Sequence, residues 1–145
     1  LAAGRQHITA LSIYGNDYWQ NKPYRDVDTV RHSDGENHFC ATLPNGCGQE
    51  LMLEILHANL PKLLSRGKPD IILYQAGADP YMEDPYSPLL LDHDALMERD
   101  LAVFRFCKEQ GIPVAWVLAG GYTKDTSKVV QVHVNTFSAC KTVYE

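Results

Sequence analysis

The sequence predicts an α/β chain built on a parallel sheet, and three observations carry that reading. From residue 48 onward the order of signals is helix, strand, helix, strand, helix, the pattern of parallel α/β sheets. The two strands in that series, Ile71-Ile72-Leu73-Tyr74 and Val114-Ala115-Trp116-Val117-Leu118, are short continuous apolar runs between turn residues. Such runs fit strands covered on both faces, as in a three-layer α/β domain. Finally, 145 residues at 45% hydrophobic and 21% charged are enough for one domain with a real core and no disulfide staples. We therefore treat residues 1–145 as a single domain.

The first third is the least regular. Ile8 to Tyr14 reads as a strand. Residues 15–37 are polar and rich in tyrosine, aspartate and asparagine, and read as a long loop. His38 to Leu43 reads as a further short strand. A helical stripe follows between Cys47 and Arg66, with Met52, Ile55, Leu56, Leu60 and Leu63 at helical spacing. Pro61 kinks or divides that helix, and Gly67 stops it. The strand from Asp70 to Gly77 comes next. Pro80, Pro85 and Pro88 make residues 80–91 a loop. Asp92 caps a helix over 93–110 that turns Leu96, Val103, Phe104 and Cys107 inward. Gly111 ends that helix and Pro113 opens the next strand. After the Gly120-Gly121 turn, a third helix is predicted over Thr126 to Cys140, burying Val130, Val134 and Phe137.

Charge and cysteine usage narrow the function classes. The net charge of -5 provides no electrostatic footprint for nucleic acid. No apolar run approaches the roughly 20 residues that span a bilayer. Cys40, Cys47, Cys107 and Cys140 have no CxxC pairing and no zinc-finger spacing, so they read as buried or inert thiols. The chain begins Leu1-Ala2-Ala3-Gly4, with neither an initiator methionine nor a signal-peptide pattern. That start reads as a cut, and the thiols and missing signal point to the cytoplasm.

Chemistry is expected at the carboxyl ends of the strands, where open α/β sheets bind ligands. Asp79 ends one strand after Gly77, placed to bind a metal or act as a base. Taken alone, such an aspartate more often caps a helix or faces water. Tyr122 follows Gly120 and Gly121 at the next strand end. The two glycines allow close approach of backbone to a substrate, and a tyrosine hydroxyl donates to charge developing on a carbonyl oxygen. A tyrosine packed over a helix start would look the same. Neighbouring strands lie about 5 Å apart, so the two ends can meet around one small ligand.

Tyr74-Gln75-Ala76-Gly77-Ala78-Asp79, then Asp84-Pro85, Glu98-Arg99-Asp100 and Gly120-Gly121-Tyr122 resemble, in order and spacing, the C-terminal half of the histone deacetylase family. Arg99 to Arg105 and Ala119 to Lys124 are most similar to the class IV branch and its bacterial relatives. The resemblance implies an arginase/deacetylase-like fold and a zinc-dependent hydrolase of acetylated lysine or an acetylated amine. In that family zinc is held by an Asp-x-His pair and a later aspartate, which Asp79 matches. Tyr122 matches the tyrosine that polarises the substrate carbonyl. Zinc with three protein ligands keeps a fourth position open and lowers the pKa of water there.

Two family motifs are not found in these residues. No Asp-x-His occurs, and His7, His32, His38, His57, His93 and His133 form no His-His dyad. The chain therefore reads as a domain half that follows the zinc-binding segment and is inactive in isolation. Asp84-Pro85-Tyr86-Ser87 also stands where relatives more usually have Asp-Pro-Leu-Gly. His133 reads as a partly buried, hydrogen-bonded helix residue, and His57 and His93 as solvent-facing. His32 and His38 flank an acidic loop, where metal binding competes with simple solvation. Two other functions stay open. A non-catalytic module would homodimerise through an exposed sheet edge. A different small-molecule site would use residues 15–38 as a lid, with Tyr14, Asp17, Tyr18, Trp19 and Tyr24 lining it.

Overall fold

The computed structural model describes residues 5–15 and 37–145. Strand β1 (Ala10–Gly15) runs parallel to β2 (His38–Leu43), with Ala10 opposite His38. Helix α1 (Gln49–Asn59) passes directly into a 3-10 turn over Leu60–Leu64 with Pro61 in its first positions. The proline thus divides the predicted helix, since its ring removes an α-helical hydrogen-bond donor. Strand β3 (Ile72–Gly77) is followed by α2 (His93–Glu109), β4 (Val114–Ala119) and α3 (Thr126–Tyr144). The Asp92 side chain accepts from Ala95 N at 2.8 Å and caps α2 as the sequence indicated. β3 and β4 pair in parallel, Ile72 opposite Val114 and Gly77 opposite Ala119. Among the described residues these are two two-stranded parallel sheets, with no ladder joining them.

The core lies between the helices and one face of the strands. Met52 and Leu56 from α1, Leu96, Ala102, Val103 and Cys107 from α2, and Val132 from α3 pack with Leu11, Ile13, Ile72, Tyr74 and Val114. A second cluster around Phe104 joins Leu101, Ala139 and Val143 to Tyr74 and Trp116. All four cysteines are free thiols. Burial pushes the Cys107 thiol up to about 11, so it stays protonated at neutral pH. Among the described residues no helix is long and apolar enough to cross a membrane.

Two expectations are corrected here. First, β3 and β4 are not covered on both faces. Tyr74 and Trp116 turn toward the helices, while Leu73 on the other face is 79% exposed and Val117 60%. The apolar runs reflect a face that no described element covers. Second, α3 is rotated relative to the predicted stripe. Val130, Val134 and Phe137 are exposed, and Val132, Thr136, Ala139 and Val143 are buried. A two-residue offset turns a helix by about 200°, to its opposite side. Thr136 faces inward because a buried carboxylate partner waits there. The rotation is tested by a pair of substitutions: Val132→Ala costs about 1.5 kcal/mol in denaturant unfolding, whereas Val134→Ala costs under about 0.5 kcal/mol.

Candidate active site

The carboxyl ends of β3 and β4 lie side by side because the two strands are parallel and in register at Gly77 and Ala119. Ala78 N continues the ladder by donating to Ala119 O at 2.8 Å. Beyond that point each strand breaks off into a turn. Asp79 leaves β3, and its carboxylate lies across both strand ends. A Cβ on Gly120 would fall 2.0 Å from Asp79 Oδ1, and one on Gly77 would fall 2.7 Å from it. Gly120 (φ +60°) and Gly121 (φ +95°) also occupy the left-handed region, which costs other residues roughly 1–2 kcal/mol. Gly120 is therefore required twice over, for backbone conformation and for the room the carboxylate takes, while Gly121 combines its left-handed backbone with close packing against Val129 and Ala78.

Burial, chiefly, raises the Asp79 carboxyl pKa above its ordinary value; Asp84 nearby adds to this, while Asp79's own backbone hydrogen bond and Arg99 oppose it. An aspartate whose folded pKa is raised favours folding in acid, and that contribution is lost as pH rises through the folded pKa. Asp79→Asn is accordingly expected to raise the melting temperature at pH 7. The gain should vanish in acid, where the carboxyl is protonated in both states. Melting curves of the two chains across the acid range check this.

Two buried carboxylates hold the strand ends. Asp100 on α2, fully buried, accepts from Tyr74 Oη at 2.5 Å, Arg99 Nε at 2.9 Å and Thr136 Oγ1 at 2.6 Å. Arg99 Nη2 lies 2.8 Å from the same carboxylate. Its Nη1 donates to Gly77 O at 2.7 Å and so fixes the turn that carries Asp79. Burial opposes the Arg99 charge, but Tyr74, Asp100 and Asp79 around it raise its pKa further. Burial, reinforced by Asp100, likewise raises the Tyr74 phenol. The second carboxylate, Asp84, is buried in the 80–91 loop and bonds to the Tyr122 main chain. Tyr122 itself is 59% exposed, its ring edge-to-face with Tyr86 at 5.3 Å.

The structure thus places Asp79, Gly120, Gly121 and Tyr122 on adjacent strand ends. It does not gather the histidines around them. His38 opens β2, with Ser12 Oγ 3.2 Å from its Nε2. His57 is exposed. His93, contrary to expectation, is partly buried: its ring packs on Tyr81 at 4.5 Å and its Nε2 lies 3.1 Å from Lys128 O. His133 is partly buried as predicted, yet its Nδ1 has no hydrogen-bond partner among the described residues. His32, Asp17, Tyr18, Trp19 and Tyr24 lie outside the described residues. Asp84 and Asp100 were visible in the sequence only as members of short motifs, and their clamping roles carry no periodic signal.

A zinc ion needs three protein ligands with a fourth position open. Among the described residues no three His, Cys, Asp or Glu side chains are grouped to hold a metal. Asp79 is a carboxylate at the right edge of the sheet, but these residues by themselves do not make a zinc site.

The parallel strand pairs and their helices belong to an arginase/deacetylase-like α/β fold, as superposition on solved structures shows. Acetylpolyamine aminohydrolase from Burkholderia pseudomallei superposes on 98% of this chain with a TM-score of 0.73, at 20% identity and over 40% of its own length. An HDAC homologue crystallised with SAHA covers 93% of the chain with a TM-score of 0.56, at 17% identity and over 41% of its own length. The histone deacetylase domain family matches residues 3–137, and the chain belongs to that family. It is 36% identical over 102 residues to an uncharacterized protein of Picosynechococcus sp., covering 70% of this chain and 34% of that protein. It is 34% identical over 71 residues to histone deacetylase 2 of Arabidopsis thaliana, covering 49% of this chain and 18% of that protein. The chain therefore spans well under half the length of these relatives.

Proposed function

We propose that the chain contributes one side of a deacetylase site that hydrolyses an acetylated lysine or acetylated amine. The observation that carries this reading is the Asp79 carboxylate lying against Gly120, two residues from Tyr122. In this reading Asp79 is the zinc ligand supplied by the chain, and zinc, when bound, supplies Lewis-acid chemistry. Gly120 and Gly121 bring bare backbone to the substrate amide at the turn, and the Tyr122 hydroxyl donates to the carbonyl oxygen as it gains charge. The other ligands and the proton-transferring histidines come from polypeptide outside these 145 residues.

The test is to mix the chain with the part of the Picosynechococcus relative that lies outside the matched region. Zinc retention and turnover of acetyl-lysine peptides or acetylated polyamines should appear only in the mixture, and both should be lost with Asp79→Ala. Turnover by the 145-residue chain alone at a rate comparable to the mixture, or zinc retention that ignores Asp79→Ala, overturns the reading.

A second reading, a non-catalytic homodimer, is favoured by the open apolar face at Leu73 and Val117. It predicts a dimer in sedimentation equilibrium that Leu73→Lys dissociates. A monomer at all concentrations rejects it.

A further inference from the structure

We propose that Asp84 is a positioning residue that sets where the Tyr122 ring stands. The inference rests on the reading of Tyr122 as the hydroxyl donor, but its geometry is independent of any activity. Gly120 and Gly121, both at positive φ, lead the chain out of β4, and no helix or strand resumes until Thr126. Across this turn Asp84 Oδ2 accepts from Tyr122 N at 2.6 Å. Its other oxygen, Oδ1, accepts from Tyr86 N at 2.9 Å. One carboxylate therefore ties two main-chain amides from segments 36 residues apart, counting from 86 to 122.

The consequence is visible in the rings. Tyr86 and Tyr122, 44% and 59% exposed, stand edge-to-face at 5.3 Å as a single aromatic wall. The carboxylate itself is nearly fully buried, at 3% exposure. It is held by its own loop, in which Asp84 N donates to Tyr81 O at 2.9 Å and Ser87 N to Asp84 O at 3.0 Å. A turn that faces solvent through its side chains is thus anchored from beneath by a group that solvent does not reach.

The choice of aspartate follows from what must be satisfied. An ionised carboxylate is acceptor-only, with an oxygen for each amide. An asparagine of the same shape offers one acceptor, and its NH₂ group would face the second N–H as a like donor. Serine or threonine has a single oxygen and cannot span both amides. Asp84 acts on the reaction only through the tyrosine it holds, and need not touch substrate.

The test places 3-fluorotyrosine at position 122 in the full chain and, separately, at Tyr144, whose ring packs against Phe104 away from this turn. Fluorine NMR is then compared for the unaltered chain, Asp84→Asn and Asp84→Ala. The expected result is that both variants move the position-122 resonance toward that of free tyrosine and narrow it. The position-144 resonance should stay in place. If Asp84→Ala fails to fold, the isosteric Asp84→Asn carries the comparison. A folded variant whose position-122 resonance does not move overturns the proposal, as does an equal shift at position 144, which would mark Asp84 as a general structural residue. A selective shift at 122 in a chain that never supports deacetylation leaves the clamp standing and removes the functional reading instead.

Discussion

Asp100→Ala lowers the stability of the chain by about 3–5 kcal/mol, the range seen when one partner of a buried ion pair is removed. Asp100 is wholly buried and gathers Tyr74, Arg99 and Thr136 around one carboxylate. Without it the Arg99 guanidinium keeps its charge in the core, with only the Gly77 carbonyl as an acceptor from this set. Thr136→Val is the control: it removes one hydrogen bond at similar volume and costs about 1 kcal/mol. Urea unfolding of the two variants separates the effects, and a loss below about 1 kcal/mol for Asp100→Ala would show that the charge finds solvent or another partner. Because Arg99 also holds Gly77, the same substitution loosens the turn that carries Asp79.

Phe104→Ala is expected to cost a comparable amount, about 3–5 kcal/mol, by a different route. Its ring is fully buried and meets three others edge-on: Tyr74 at 5.9 Å, Trp116 at 6.1 Å and Tyr144 at 6.4 Å. Alanine leaves a cavity at the meeting point of β3, β4, α2 and α3. Besides the lower melting temperature, the near-ultraviolet circular dichroism of the aromatic cluster should collapse. If the band persists and the loss stays below about 1 kcal/mol, the cluster repacks around the gap.

These two residues mark what a single sequence reveals. Phe104 was legible because burial on one helix face repeats every three to four residues, and Leu96, Val103 and Cys107 mark the same face. Asp100 lies within that helix as one polar residue among several, and only its tertiary partners distinguish it from a solvated carboxylate. The α3 stripe went wrong for a related reason. Val130, Val134 and Phe137 form as good an apolar row as the buried one, and the buried row contains Thr136, which a hydropathy pattern reads as polar. Its hydroxyl bond to Asp100 decided the rotation. At the strand ends, Asp79 and Tyr122 were legible from motif order, since glycines and turn residues are read locally. Asp84 was legible as a motif member, but its clamping role was not, because the bond that defines it joins residues 38 positions apart in sequence.

The uncovered face of β3 and β4 has a practical consequence for anyone preparing this chain. In the single chain Leu73 and Val117 form an exposed apolar ribbon, so refolding competes with a bimolecular encounter whose rate grows with concentration. Yield therefore falls as the refolding concentration rises. A dye that fluoresces in apolar surroundings binds compact states with exposed apolar surface, so it would light up on this folded chain as on a partly folded one, and its signal is a poor gauge of folding here.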